Sequence, residues 1–395
     1  MRKIFICAHA DFPRGGAEAN YIEYLALSLI ERGVEVYVFS RGANQEKEYC
    51  TVKECYFHNG IYYENIDGKF ESVLDFSRLY FAEAKYIIDL MEKHKATERD
   101  QIIFYTTNYF YIRKIYQYAQ KRNMKTSMCI TEWFQPFQYR GGILNPVYWL
   151  DEIGFQFGIP MSKRVIPICR YLETHFQKKG CKTLCLPILA DPPEQMPERM
   201  GEQEDNVMHF IYSGNAIKKD AIDMIVNSFG ALDEQELERV RLHFTGMSKD
   251  TVQYLQNACE DAYKKIEAIL HVHDWMDYSD LIALYEKMDF LILLRKKNKV
   301  TISNFPSKVP EMMGYGIIPI VSKVGEYTDK YLTDGKDSIQ VEQCSVEHGV
   351  KAIRKALQLS LDERRRMRRQ AYDTAISLFH YKVWSEKIEE FLYGE

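Results

Sequence analysis

Short apolar runs alternate with amphipathic segments through both halves of the chain. In the first half, Lys3–Ala8, Val34–Ser40, Ile102–Thr106, Thr126–Ile130, Val165–Cys169 and Thr183–Leu186 read as strands. Ile22, Leu25 and Leu29 recur at helical spacing and lay one apolar stripe on the helix after the first strand. Gly33 ends that helix and Val34 opens the next strand. The second half repeats the rhythm, with strands at Val207–Ser213, Arg239–Thr245, Ala268–Val272, Phe290–Leu294, Ile317–Val321 and Ser338–Val341. Helices are predicted over Lys219–Leu232, Ser279–Lys287, Ser307–Tyr315 and Val346–Gln358, and Leu361–Leu392 reads as helical throughout. Strand–helix alternation predicts the α/β class, with parallel sheets covered by helices on both faces. Between the halves, residues 191–206 are polar, hold Pro192, Pro193 and Pro197, and have no apolar period, which is linker composition. The expected organisation is a first doubly wound domain over 1–190, a linker over 191–206, a second doubly wound domain over 207–378, and a terminal helical segment over 379–395. The expected site is a cleft between the domains, at the carboxyl ends of the strands.

Length and composition agree with that plan. A chain of 395 residues suits two cores, and 46% hydrophobic with 27% charged residues is ordinary for a folded, soluble protein. Wholly disordered, fibrous and membrane-spanning classes are excluded, since no apolar run approaches the roughly 18–20 residues a spanning helix needs. The chain opens Met-Arg-Lys and passes straight into Ile4–Ala8, too short a run for a signal peptide, so a cytoplasmic location is expected. Nine cysteines at irregular spacings, with no CxxC pair, read as small buried hydrophobes. Charge is uneven: residues 1–190 carry 25 Lys+Arg against 21 Asp+Glu, a net +4, and the remainder is −8 of the overall −4. Basic clusters at Arg113/Lys114, Lys121/Arg122/Lys125 and Lys178/Lys179/Lys182 suit either a solvated helix face or contact with an anionic membrane or phosphorylated substrate. Nucleic acid is not an expected partner, because the chain is acidic overall and carries no recognition motif.

Several chemistries are absent from the sequence. There is no G-x-G-x-x-G, no G-x-x-x-x-G-K-[ST], no G-x-S-x-G and no D-x-D. His271-x-His273 lacks further ligands nearby and reads as structural. Three segments remain. Asp11-Phe-Pro-Arg-Gly-Gly-Ala-Glu18 joins the first strand to the first helix, where Gly15 and Gly16 allow close backbone approach to a phosphate. Tyr212-Ser-Gly-Asn-Ala-Ile-Lys-Lys-Asp-Ala221 holds the same place in the second domain. A lysine there can neutralise a diphosphate; Lys219 is assigned because it directly opens the predicted helix, with Lys218 the alternative. The third runs from Phe290 to Ser322. Arg295 ends a buried strand, Pro306-Ser307-Lys308 starts a helix, and Glu311 lies one turn in, on the face of Ser307 and Lys308. A carboxylate there can accept two ribose hydroxyls while the helix start holds phosphates. His9 and Glu132 follow strands of the first domain, and Trp133, Phe134 and Phe137 read as packing or as an apolar platform.

The Gly-Gly loop, the Gly-x(n)-Lys loop, the Pro-Ser-Lys-x-x-Glu-x-x-x-x-Gly-x-x-Pro run, Gly325-Glu326 and Asp334-Gly335 together resemble the retaining GT-B glycosyltransferases of glycosyltransferase family 4, across essentially the whole chain. The resemblance implies two Rossmann-like domains, with the sugar nucleotide on the second and a final helix, here Tyr381–Leu392, crossing back to the first. It gives Glu311 the ribose, Ser307 and Lys308 the diphosphate, Lys219 the phosphate charge, and Gly16 an approach to that diphosphate. Two departures stand out. Ser303 occupies a position where many members have glutamate, and Asn215 one where many have arginine. Arg295 is the expected substitute charge, and Glu132 the expected residue on the acceptor side.

The implied reaction is retaining transfer from a nucleotide-diphosphate sugar, with uridine the default base. No metal or other cofactor is expected. Negative charge growing on the leaving phosphate would be offset by Lys219, Arg295 and backbone N–H groups, and domain closure would exclude water. The implied acceptor is a glycan or polyprenyl-diphosphate-linked glycan of surface polysaccharide synthesis, with peripheral contact to an anionic membrane. The alternatives are a sugar-nucleotide epimerase on the same fold, or a non-catalytic relative that binds a nucleotide sugar.

Overall fold

The computed structural model describes residues 2–14, 16–42, 48–66, 73–199, 207–214 and 219–394, with 73–81 described by backbone alone. The chain divides into two compact units, Met1–Leu189 with Tyr381–Glu395, and Ala190–His380.

The first unit is built on a nine-stranded sheet: β1 (Lys3–Asp11), β2 (Glu35–Arg41), β3 (Tyr49–Cys50), β4 (Cys55–His58), β5 (Ile61–Ile66), β6 (Gln101–Tyr105), β7 (Lys125–Ile130), β8 (Arg164–Pro167) and β9 (Lys182–Thr183). The spatial order is β3-β4-β5-β2-β1-β6-β7-β8-β9. Only the β3–β4 and β4–β5 pairs are antiparallel. Ile4, Phe5, Ile6 and Cys7 of central β1 are fully buried, which explains why it reads as an unbroken apolar run. The strands β3 to β5 escape the sequence pattern. In β5 the buried residues Ile61, Tyr63 and Asn65 alternate with half-buried ones, and one of them is polar. The expected strand Thr183–Leu186 is reduced to the Lys182–Thr183 pairing with β8.

The expected single helix over Leu361–Leu392 is interrupted. His380 leaves the helical region, with φ −61° and ψ 130°, and a separate helix follows at Tyr381–Tyr393. That last helix lies on the first unit, where the Tyr381 ring stacks parallel to Tyr24. Its last carbonyls are capped from the sheet: Arg164 Nη1 donates to Phe391 O at 2.9 Å and Gln101 Nε2 to Leu392 O at 3.0 Å. Arg2 and Arg32 both pair with Glu389, each at 2.6 Å.

The second unit carries a fully parallel six-stranded sheet: β10 (Met208–Ser213), β11 (Val240–Thr245), β12 (Leu270–Val272), β13 (Phe290–Leu293), β14 (Ile318–Ser322) and β15 (Ile339–Val341). Its order is β12-β11-β10-β13-β14-β15. The direction of winding reverses between β10 and β13, and a crevice at the carboxyl ends of those strands is where such sheets take ligands. The six parallel strands β5-β2-β1-β6-β7-β8 of the first unit have the same winding.

Residues 190–199 have the composition of a linker, yet they are fastened to the second unit. Ala190 N donates to Phe379 O at 2.8 Å, and Tyr372 donates its hydroxyl to Pro193 O at 2.7 Å. Arg199 is buried, and its Nη2 donates to Asp289 Oδ2 at 2.8 Å. The same oxygen accepts from His209 N at the start of β10.

Candidate functional site

The carboxyl end of β10 leads into Gly214, with φ 126°, a conformation few side chains adopt. A Cβ there would stand 3.1 Å from Lys308 Nζ, so the glycine leaves room for the ammonium. Lys308 opens a short helix, Lys308–Met313, that follows Phe305-Pro-Ser. Its ammonium donates to Asp220 Oδ2 at 2.9 Å and lies 4.3 Å from the centre of the Tyr212 ring. Asp220 is 1% exposed. Its Oδ2 also accepts from the Tyr212 hydroxyl at 2.8 Å, and its Oδ1 from Arg295 Nε at 2.7 Å. Burial alone would raise this carboxyl, but the Arg295 and Lys308 charges prevail and hold it well below the usual carboxylate range. Burial draws the Lys308 ammonium down, and Asp220 partly offsets it.

Arg295 therefore does not stand as a free cation at the strand end. It is 3% exposed, and its guanidinium is spent on Asp220 and on Asn304 Oδ1 at 2.9 Å. The sequence reading makes it the substitute charge at the leaving phosphate, because Asp220, 75 residues away, is not visible as its partner there. Lys219 is also displaced from its expected place. The helix it was expected to open begins at Ile222, and Ala221 N donates to Leu294 O at 2.8 Å, tying the turn to the end of β13. Lys219 is half-buried and close enough to act on the Lys308 charge.

Glu311 lies one turn beyond Lys308, partly exposed, and accepts from the Tyr285 hydroxyl at 3.3 Å. Surrounding protein raises its carboxyl to about 7, although Tyr285 and Lys308 pull the other way. Ser307 is half-buried and precedes the helix without a side-chain cap. Ser303 is fully buried, its hydroxyl directed to Val300 O at 3.3 Å, so it is a packing residue here. Asn215, Lys218 and Gly15 lie outside the described residues. Gly16 stands at the start of the helix Ala17–Ile30, with φ 70°.

In the first unit, His9 bridges Thr106 and Glu83: Nδ1 is 2.8 Å from Thr106 Oγ1, and Nε2 is 3.1 Å from Glu83 Oε2. Arg41 Nη2 donates to the same Glu83 oxygen at 2.7 Å. Burial lowers the His9 imidazole, and Glu83 works against that. Asp151 accepts from Thr107 Oγ1 at 2.9 Å and from the Tyr139 hydroxyl at 2.8 Å. Glu132 is half-buried and accepts from Gln138 Nε2 at 2.7 Å. Trp133 is buried, stacked on Phe155 at 4.3 Å, and donates to Glu152 at 3.0 Å, which makes it packing; Phe134 is half-buried and Phe137 exposed.

Sequence reasoning missed Asp220, Tyr212, Tyr285 and Glu83. Only Asp220 had a local signal, as the one acidic residue between Ser213 and Ala221. It also missed the company of His273: His243 Nδ1 is 2.9 Å from His273 Nε2, and His209 Nδ1 is 3.0 Å from His243 Nε2. Among the described residues, no group of three or more His, Cys, Asp or Glu side chains is arranged to hold a metal ion.

Residues 196–374 match the family described as glycosyl transferases group 1. That match covers all but the two ends of the second unit, and includes the Asp220–Lys308–Glu311 cluster. No curated protein matches the sequence. Similar solved structures span the full chain. Sucrose-phosphate synthase from Thermosynechococcus elongatus has a TM-score of 0.74 at 13% identity, covering 99% of this chain and 98% of its own. WaaG, a glycosyltransferase involved in lipopolysaccharide biosynthesis, has 0.70 at 14%, covering 99% and 100%. An E. coli trehalose-6-phosphate protein bound with UDP-2-fluoro glucose has 0.68 at 13%, covering 99% of each chain. The fold is GT-B. In this GT-B chain, the carboxyl end of the second sheet gathers the Lys308 ammonium, the buried Asp220–Arg295 pair and a carboxylate one helical turn away. Chemically, that set can hold an anion at Lys308 and hydroxyls at Glu311. No helix among the described residues is long and apolar enough to cross a membrane.

Proposed function

We propose that the protein is a retaining glycosyltransferase that moves a sugar from a nucleotide-diphosphate sugar, UDP-linked by preference, to a glycan or lipid-linked glycan. The observation that carries this reading is the placement of Lys308 beside Gly214 with Glu311 one turn further, inside the segment that matches glycosyl transferases group 1. Glu311 binds the two ribose hydroxyls. Lys308, with Lys219 and Ser307, takes the diphosphate. As the bond from the sugar to the diphosphate breaks, negative charge grows on the leaving phosphate, and the fixed ammonium is worth most at that moment, in a site with little water. Arg295 acts through Asp220 rather than on the phosphate itself. No residue of the enzyme need form a covalent bond to the sugar, and no metal is assigned a role. The UDP preference is supported by the structural neighbour that holds a UDP-sugar analogue.

The acceptor side of the reading rests on the first unit. Of its exposed residues from 131 to 182, five are basic (Arg140, Lys163, Arg170, Lys178 and Lys182) and none is acidic. Among the same exposed residues stand Ile143, Leu144, Trp149 and Phe157, with Leu144 86% exposed. Exposed apolar side chains in a segment whose exposed charges are all basic suit the surface of an anionic membrane. That supports a lipid-linked acceptor, presented at the cytoplasmic face.

Calorimetry with UDP, GDP, ADP and CMP, on wild type and Glu311→Ala, tests the donor site. One diphosphate binding well, with affinity lost in the variant, supports the reading. Equal affinity in wild type and variant would remove Glu311 from the site. Retention of anomeric configuration in the product then tests the stereochemical part.

A further inference from the structure

We propose that Asp220 is a positioning residue for the diphosphate end of the donor, fixing the Lys308 ammonium beside Gly214 before the ligand arrives. The inference rests on the reading of the second unit as a nucleotide-sugar site, and adds to it a residue that touches no substrate atom.

The geometry is a carboxylate held on one side and holding on the other. From inside, Arg295 Nε at 2.7 Å and the Tyr212 hydroxyl at 2.8 Å lock Asp220; Arg295 is 3% exposed and Tyr212 fully buried. From outside, Asp220 Oδ2 accepts from Lys308 Nζ at 2.9 Å, and the Lys308 side chain keeps 15% of its surface open. An ammonium has three donors, and one is used on Asp220. The Tyr212 ring lies against the same nitrogen at 4.3 Å, and Gly214 leaves free the room that its own Cβ would take, 3.1 Å from that nitrogen. Among the described residues Asp220 is the acceptor from this ammonium, which leaves its remaining donors to an anion on the Gly214 side.

Two consequences follow for ligand binding. A free lysine stem gives up rotamer entropy when it clamps a phosphate, and a stem already fixed does not. The second consequence is electrostatic. Lys308 is faced by Asp220 and Lys219 from the turn before the helix Ile222–Gly230, by Arg295 after β13, by Tyr212 of β10 and by Glu311 of its own helix. Without the Asp220 charge, Arg295 and Lys308 would be two neighbouring cations in a poorly hydrated place. A guanidinium keeps its proton there, so the ammonium is the group that yields.

The test uses full-length wild type, Asp220→Asn and Asp220→Glu. Competitive labelling with acetic anhydride across neutral and alkaline pH, read at the Lys308 peptide by mass spectrometry, reports the charge state of Lys308 in the free protein. Calorimetry with inorganic pyrophosphate over the same range reports the anion site, and uridine serves as a ligand without phosphate. In Asp220→Asn, Lys308 is expected to become reactive at lower pH than in wild type. Pyrophosphate affinity should fall about tenfold or more at the alkaline end and recover as pH is lowered, with uridine unchanged. Asp220→Glu keeps the charge and moves it by one methylene, so its Lys308 labelling should stay near wild type while pyrophosphate binding weakens. An unchanged labelling profile in Asp220→Asn, or wild-type pyrophosphate affinity in Asp220→Glu, overturns the proposal; should Asp220→Asn fail to fold, Asp220→Glu alone decides it. Absence of pyrophosphate and nucleotide binding in wild type would overturn the donor-site reading and the positioning role with it, while the labelling profiles would still decide whether Asp220 governs the Lys308 charge.

Discussion

The Tyr285 hydroxyl donates to the Glu311 carboxylate at 3.3 Å, and the tyrosine that supplies it is 1% exposed. A buried donor fixed on a carboxylate orients it, yet this one is too long a contact to undo the effect of burial, and the carboxyl stands at about 7.

The pH dependence of stability follows from that value. The folded protein holds the Glu311 proton up to about 7, whereas the unfolded chain releases it near 4.5. The contribution of Glu311 is therefore fully present at the acid end and is lost as pH rises through about 7. Glu311→Gln should flatten that part of the melting-temperature profile. Tyr285→Phe removes an interaction that lowers the carboxyl, so it should move the loss to higher pH. Thermal melts of the three proteins across this range check both; a wild-type profile no steeper than that of Glu311→Gln would refute them.

Lys308→Met should separate the phosphate contacts from the nucleoside contacts. A charge-assisted hydrogen bond to phosphate is worth enough that UDP binding should weaken about tenfold to a hundredfold. Uridine, which lacks the phosphates, should bind within about twofold of wild type on the same argument. Calorimetry with both ligands decides it. A parallel loss of both would place Lys308 in the scaffold and not at the anion.

The buried Arg199–Asp289 pair predicts a stability effect far from the ligand. Asp289 is fully buried and also accepts from His209 N, so Arg199→Ala leaves its charge to the more distant Arg364, 3.9 Å away. The cost of a wholly unpaired buried charge, about 3–5 kcal/mol, is the upper bound expected for the second unit, because Arg364 remains. Urea unfolding of wild type and Arg199→Ala measures it. A loss within the error of the measurement would show that residues 190–199 are held by their backbone contacts alone.

Both sheets were legible in the sequence because the central strands are buried on both faces. Ile4–Ala8 and Phe290–Leu294 are apolar without interruption, so no partner strand need be known to recognise them. The strands β3 to β5 were not legible, since an edge ribbon rich in tyrosine carries the same residues as a loop. The ligand-facing chemistry was only half visible. Lys308 and Glu311 sit three residues apart on one helix, a spacing the sequence displays directly. Asp220 and Arg295 lie 75 residues apart and meet only through the β10–β13 crossover. The same applies to His209, His243 and His273, brought together by the neighbouring strands β10 and β11 and the residue just past β12.

The exposed basic and apolar residues between 131 and 182 predict binding to anionic vesicles. Asp151 and Glu152, the acidic residues within the apolar stretch, are turned to Thr107 and Tyr139 and to Trp133 and Gln156, so they do not oppose a negative surface. Cosedimentation should be stronger with phosphatidylglycerol-containing vesicles than with pure phosphatidylcholine, and should weaken with salt as surface charges are screened. Replacing Lys163, Lys178 and Lys182 together by alanine should reduce binding about a hundredfold, from roughly 1 kcal/mol for each basic residue near the surface. Leu144→Glu should reduce it further by withdrawing the most exposed apolar side chain of the segment. Equal binding to neutral and anionic vesicles would reject the electrostatic part of this reading, and undiminished binding by Leu144→Glu would move the membrane contact away from this segment.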